Sequence, residues 1–156
     1  MAQIVFSRVD DRLIHGQVVT SWLNYSGANH IIIVDDLTAQ DDFVKMILKG
    51  AVPPGYKMTV LSIADMIATF TALPDDKVFL LVKTPAVILA LAEAGIDIKE
   101  LNVGGMGGNA ERSKFYKNIS MSEAEKDCVK KLLEKGLSIS IQVIPQDKKI
   151  NIEDLL

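Results

Sequence analysis

At 156 residues, 49% of them hydrophobic, the chain is long enough to bury one substantial core without disulfides or structural metal, and a single domain over residues 1–156 is expected. A net charge of −3, a pI near 5.4 and 6% aromatic content argue against a nucleic-acid surface, which needs a basic stripe or a stacking platform. Cys128, the one cysteine, has no disulfide partner, two histidines beside it make no zinc set, and no apolar run approaches the roughly 20 residues that span a bilayer.

In chain order, the first strand-like run is Gln3–Phe6. It leads into Ser7-Arg8-Val9-Asp10-Asp11-Arg12-Leu13-Ile14-His15-Gly16-Gln17-Val18, where two arginines, two carboxylates and a histidine crowd together just before the amphipathic run Val18, Val19, Trp22, Leu23. His15 therefore stands at a helix start, where unpaired N–H groups and the positive end of the helix dipole favour an anion. Arg8 and Arg12 offer planar forks for phosphate oxygens, and Asp10 or Asp11 can orient an arginine or fix the imidazole tautomer. A neutral imidazole can accept a phosphoryl group and later release it. Against this stands the plainer reading of a surface histidine among solvated ion pairs.

Further strands are expected at Ile31–Val34, Met58–Leu61, Val78–Val82, Leu101–Val103 and Leu137–Val143, with helical patterns between most of them. Continuous apolar strands read as buried on both faces. The expected fold is a three-layer α/β/α domain around a mostly parallel sheet of about six or seven strands. Thr38 with Asp41, Ser62 with Asp65 and Ser122 with Glu125 have capping-box spacing; Thr84-Pro85 pairs an N-cap with a proline at the first helical position; Gly27, Gly50, Gly95 and Gly136 stand where helices should end. The faces Val18/Trp22, Phe43/Ile47, Ile63/Ile67/Phe70, Ile88/Leu91 and Val129/Leu132/Leu133 are read as core stripes. Gly104 to Ile119 reads as a loop with a short extra strand around Phe115–Ile119.

In open α/β sheets ligands gather at the carboxyl ends of the strands, near the switch in strand order. Asp35-Asp36, Lys83-Thr84 and Gly104-Gly105 follow strands and should join His15 at that edge; Lys83 either adds positive charge there or is simply solvated. His30 precedes the second strand, falls at the opposite edge and is read as structural, and Cys128 is read as inert.

The run Arg8 to Val18 resembles the active-site loop of the IIB components of the mannose/fructose/sorbose family of the bacterial phosphotransferase system, and Val82-Lys83-Thr84-Pro85 and Leu101-Asn102-Val103-Gly104 also look like that family. The resemblance implies a histidine phosphocarrier: His15 takes a phosphoryl group, on Nδ1, from a phosphohistidine of a IIA protein or domain and passes it to a sugar held by the membrane IIC/IID permease. It matches His15 to the phosphorylated position and Arg12 to the neighbouring arginine; together with the reading of the residues this gives a catalytic set of His15, Arg12, Arg8 and Asp10 and phosphate contacts from Gly16, Gln17, Lys83 and Thr84, with no cofactor, metal or nucleic acid expected. A homodimer is compatible with it, and the implied place is the cytoplasm, at the membrane only through IIC/IID. Gly104 to Gly108 is richer in glycine than the family leads one to expect.

Two rivals stand beside this. Gly105-Met106-Gly107-Gly108-Asn109-Ala110 formally fits a dinucleotide fingerprint, but it follows the fifth strand and opens no convincing helix. A phosphate- or nucleotide-binding regulatory domain without covalent transfer would use the same anion site.

Overall fold

The computed structural model describes residues 1–156. The elements run β1 (Gln3–Asp10), α1 (Gly16–Ser26), β2 (His30–Val34), α2 (Asp36–Ala39), α3 (Asp42–Gly50), β3 (Lys57–Leu61), α4 (Ile63–Thr69), β4 (Lys77–Val82), α5 (Pro85–Glu93), β5 (Glu100–Gly105), β6 (Ser113–Tyr116), β7 (Ile119–Met121), α6 (Glu123–Glu134), β8 (Ser138–Ile141) and β9 (Ile150–Asn151). Seven strands form one sheet in the order β3-β2-β4-β1-β5-β8-β9, parallel except for β9. The expected three-layer α/β architecture is what the chain adopts.

The apolar strands explain the layers. Every residue of β2 is buried, as is all of β4 after Lys77, because helices cover both faces. Met66 of α4, Ile88 and Leu91 of α5, and Val129 and Leu132 of α6 close one face; Val19, Trp22 and Leu23 of α1 and Leu48 of α3 close the other. The connection from β1 runs over β4 to β2, while that from β4 runs over β1 to β5 on the opposite face. The two central strands thus send their chains in opposite directions, which opens a crevice at their carboxyl ends.

Several expectations change in detail. β1 continues four residues past Phe6, because Arg8, Val9 and Asp10 pair with Asn102, Val103 and Gly105 of β5. Gly104–Ile119 holds a loop and an extra strand as expected, but Gly104 and Gly105 finish β5, and the extra strand, β6, pairs with β7 in an antiparallel hairpin. The last expected strand is the shorter Ser138–Ile141, and β9, which has only two residues, carries no sequence signal. Thr38 and Asp41 do not share a capping box: Asp35 caps α2 through the Thr38 amide, and Asp41 caps α3 through the Val44 amide. Ser62 accepts from the Asp65 amide, whereas only Ser122 and Glu125 close the full reciprocal box. Gly50 remains helical and Ala51 closes α3. On that helix Val44 and Leu48 face the sheet, so Phe43 and Ile47 point out, 67% and 53% exposed, and Ile67 of α4 is 41% exposed.

Candidate functional site

The site begins inside the sheet. Arg8 is fully buried between β4 and β5, an expensive place for a guanidinium unless every donor finds an oxygen. Its Nη1 donates to Asn102 Oδ1 and, at 3.0 Å, to the Gln142 carbonyl; its Nη2 donates to Asp10 Oδ2 at 3.1 Å; the group lies 5.4 Å from the Trp22 ring centre. Burial pulls the Arg8 pKa below its ordinary value, and the Asp10 carboxylate opposes that shift. Room for the guanidinium comes from Gly104, where a Cβ would fall 2.0 Å from Arg8 Cζ.

Asp10, also fully buried, ends β1 and carries the arrangement out to the surface. Its Oδ1 accepts from the Arg12 amide at 3.1 Å and from Arg12 Nε at 3.2 Å, so one carboxylate lies between two guanidinia. A Cβ on Gly105 would meet Asp10 Oδ1 at 3.0 Å and Arg12 Nη2 at 3.3 Å. The glycine run is thus a flat bed on which this ion-pair chain lies. One negative charge between two positive ones leaves a surplus cation, and it resides on Arg12, whose side chain is 53% exposed.

Beyond Asp10 the chain turns sharply. The Leu13 amide donates to the Asp10 carbonyl at 2.9 Å, and Leu13 takes a left-handed φ of 57°, uncommon for a residue with a Cβ. The turn is held because the Leu13 and Ile14 side chains are buried in the α1-side core. They lift His15 to the N-cap of α1, where it makes no side-chain capping bond, so the exposed amides of Gly16 and Gln17 are left without a side-chain acceptor. Gly16 has φ of 49° with open space around it, so glycine is required there by conformation and not by room. His15 Nδ1 lies 3.1 Å from the Leu13 carbonyl; Nε2 is buried, lacks a hydrogen-bond partner and sits 3.9 Å from Asp10 Oδ2.

The structure brings His15, Arg12, Asp10, Gly16 and Gln17 together at the carboxyl end of β1. It places Arg8 behind them, in contact with Asp10 and closed to solvent, which corrects the expectation of an arginine in the loop. Lys83 follows β4 on the same edge, but its Nζ is 3.5 Å from Asp35 Oδ2, so its charge is already partnered. Thr84 is the N-cap of α5 without a side-chain bond and shares a hollow with Asn109, Arg112, Ser122 and Glu125. No helix follows Gly105–Ala110, so the dinucleotide pattern lacks the helix N-terminus it needs. His30 lies at the amino edge, 5% exposed, and Cys128 is half-buried on α6, where burial pushes its thiol pKa up. Sequence reasoning missed Arg112, which reaches Asp11 from the segment before β6.

An apolar hollow of about 310 Å³ opens at the amino edge, lined by Ile4, Ile67, Phe70 and Ile96, and shares no residue with the His15 turn.

Comparison with known proteins agrees over the full length. A family model described as the PTS system sorbose subfamily IIB component matches residues 4–156. The fructose-specific EIIB component of Bacillus subtilis (strain 168) is 35% identical over 149 residues, covering 94% of this chain and 91% of that protein. The mannose-specific EIIAB component of Escherichia coli (strain K12) is 33% identical; the match covers 98% of this chain and 48% of that longer protein. The crystal structure of the IIBSor domain of the sorbose permease from Klebsiella pneumoniae superimposes with a TM-score of 0.93 at 33% identity, over 97% of this chain and 94% of that one.

Proposed function

Since the chain belongs to the sorbose-subfamily IIB components of the bacterial phosphotransferase system, which are phosphotransferases of sugar uptake, we propose that His15 is the residue that carries the phosphoryl group. The observation that carries this reading is the surplus cation of Arg12 beside a histidine at an uncapped helix start. A dianionic phosphoryl group placed on the ring meets the Arg12 fork and the free amides of Gly16 and Gln17, while the other cations nearby are matched by carboxylates.

The donor is a phosphohistidine of a IIA partner, a pairing supported by the fused EIIAB relative. A His15 nitrogen attacks phosphorus in line, the N–P bond of the donor breaks, and the donor imidazole leaves with the electron pair. Arg12 and the helix amides stabilise charge on the equatorial oxygens. Asp10 acts twice. It holds the Arg12 fork in place, and, once the ring turns away from the Leu13 carbonyl that now takes the Nδ1 proton, its carboxylate accepts from Nε2–H and leaves the lone pair on Nδ1. Nδ1 is the reacting atom on this reading. A ring turn that shortens the Nε2–Asp10 contact and releases Nδ1 from the Leu13 carbonyl prepares it. Arg8 neutralises Asp10 from behind and touches no substrate.

The second transfer reverses the roles: a sugar hydroxyl, bound by membrane IIC/IID partners, attacks phosphorus and His15 leaves. No helix is long and apolar enough to cross a membrane. On the family's pattern, residues 1–156 work as one IIB domain on the cytoplasmic side and meet the bilayer through those partners. Fructose-specific and mannose-specific relatives are nearly equally identical to this chain, so likeness alone assigns no sugar.

The test is mass spectrometry after incubation with phosphoenolpyruvate, the two general phosphotransferase proteins and a IIA partner, with peptide mapping under alkaline conditions. One acid-labile phosphoryl group on the His15 peptide is expected. Reversible phosphate binding without a covalent adduct, in the presence of verified phospho-IIA, would overturn the carrier reading in favour of a regulatory phosphate-binding domain.

A further inference from the structure

We infer that Arg112 is a positioning residue for this site, acting through Asp11 and Gly107 to fix the turn that presents Arg12 and His15. The inference rests on the proposal that His15 carries the phosphoryl group. Arg112 lies outside every stretch that pointed to the site, yet its side chain is only 8% exposed and all three guanidinium nitrogens are engaged. Nε and Nη2 grip Glu125 side-on, at 2.9 Å to Oε1 and 2.7 Å to Oε2. Nη1 points the other way, at 2.8 Å from the Gly107 carbonyl and 3.3 Å from Asp11 Oδ2.

Each end of this strap is anchored. Glu125 is the third residue of α6, where it also closes the capping box with Ser122, so one end is tied to a helix start. Asn109 Oδ1 accepts from the amides of Glu111 and Arg112 and fixes the backbone that carries the guanidinium. At the other end Asp11 Oδ2 accepts from the Gly107 amide at 2.7 Å, and the Asp11 amide donates to the Gly105 carbonyl at 3.1 Å. Asp11 stands between Asp10 and Arg12, so where it is held decides where the Arg12 fork points.

Charge gives a second reason. An unpaired Asp11 next to an incoming phosphoryl dianion would repel it; Arg112, shared with Glu125, offsets part of that charge and draws the carboxylate toward itself. Only a planar fork can hold Glu125 bidentately and still reach Asp11 with a third nitrogen.

The experiment follows single-turnover transfer from phospho-IIA to the full chain and its variants Arg112→Ala, Arg112→Lys and Asp11→Asn. Arg112→Ala should slow the maximal rate by about 10- to 100-fold, with half-saturation by the donor changed by no more than about twofold. Lysine should restore less than half of the lost rate. Arg112→Ala combined with Asp11→Asn should be no slower than Arg112→Ala alone, since both break one link. In parallel, amide NMR should show the Gly107 and Arg12 signals and the His15 ring signals displaced in Arg112→Ala and Asp11→Asn. Asp11 is partly exposed, so Asp11→Asn carries the test if Arg112→Ala fails to fold. Signals at Arg12 and His15 unchanged in both variants, or maximal rates within about twofold of the parent, overturn the inference. If the parent itself takes no phosphoryl group, the carrier reading fails, and the NMR comparison still decides whether Arg112 holds the turn.

Discussion

The molecule has two histidines, one at each end of the same parallel sheet, and each lies beside a buried aspartate and a basic side chain. At the amino edge His30 is saturated: Nδ1 is 3.0 Å from Asp76 Oδ2, Nε2 is 2.7 Å from Thr59 Oγ1, and Lys57 Nζ closes on the same carboxylate. At the carboxyl edge His15 spends one nitrogen on a backbone carbonyl and leaves the other unpartnered, after a left-handed leucine and before a helix start without a side-chain cap. An Asp–His pair is therefore not by itself a site. Complete hydrogen bonding makes His30 a clasp between β2, β3 and the segment before β4, whereas incomplete bonding at His15, two residues after the left-handed Leu13, keeps chemistry open.

The largest effect should come from removing each ring in turn. His15→Ala should take up no phosphoryl group from phospho-IIA while unfolding in urea within about 1 kcal/mol of the parent, because the ring makes one hydrogen bond, to the Leu13 carbonyl, and leaves Nε2 unpartnered. His30→Ala should do the reverse, labelling fully but losing about 1–3 kcal/mol as Asp76 and Thr59 are left without their partner. A labelled His15→Ala, or a folded His30→Ala that no longer labels, breaks the contrast. Gly104→Ala should cost about 3 kcal/mol or more in urea unfolding, since the new methyl would meet a guanidinium held by Asn102, Gln142 and Asp10 that has nowhere to move. Arg12→Lys keeps the surplus charge but not the fork, so stopped-flow transfer should slow by about tenfold or more with little change in stability.

The contrast also marks what the sequence makes legible. Period and capping reveal the approximate number of strands in the sheet and most helix starts, because apolar runs such as Ile31–Val34 have few alternatives to a buried strand. Ser7–Asp10 defeats the same logic. Polar residues read as loop, and Asp10 alone does not compensate the burial of Arg8, which also needs Asn102 and Gln142 from far along the chain. The glycine run is unreadable for the same reason: its purpose is to lie under Arg8, Asp10 and Arg12, a contact that folding alone creates. Phe43/Ile47 and Val44/Leu48 share the same helical spacing, and nothing local says which pair faces the sheet. His15 and Arg12 were visible because their partners are neighbours in sequence; Arg112 was not, since its link to Asp11 spans the central β2–β5 region.

The smallest expected effect separates the two ends by acid. Asp76 is held below the usual carboxylate range chiefly by the Lys57 hydrogen bond, with His30 adding to it and burial opposing it. A carboxyl whose folded pKa is depressed lends stability that is complete above its unfolded value, about 3.9, and that disappears as pH falls through the lower folded value. Urea unfolding compared at about pH 5 and about pH 3 should therefore show a smaller loss for Asp76→Asn than for the parent, because asparagine has no proton to take up. The slope should not vanish in that variant. Glu125, which burial pushes up, is still held below its ordinary value by the Arg112 and Ser122 hydrogen bonds, so it too lends stability that acid removes. Parallel acid curves for the parent and Asp76→Asn would mean that the His30 clasp contributes nothing through charge, and that its hold on β2 and β3 is geometric alone.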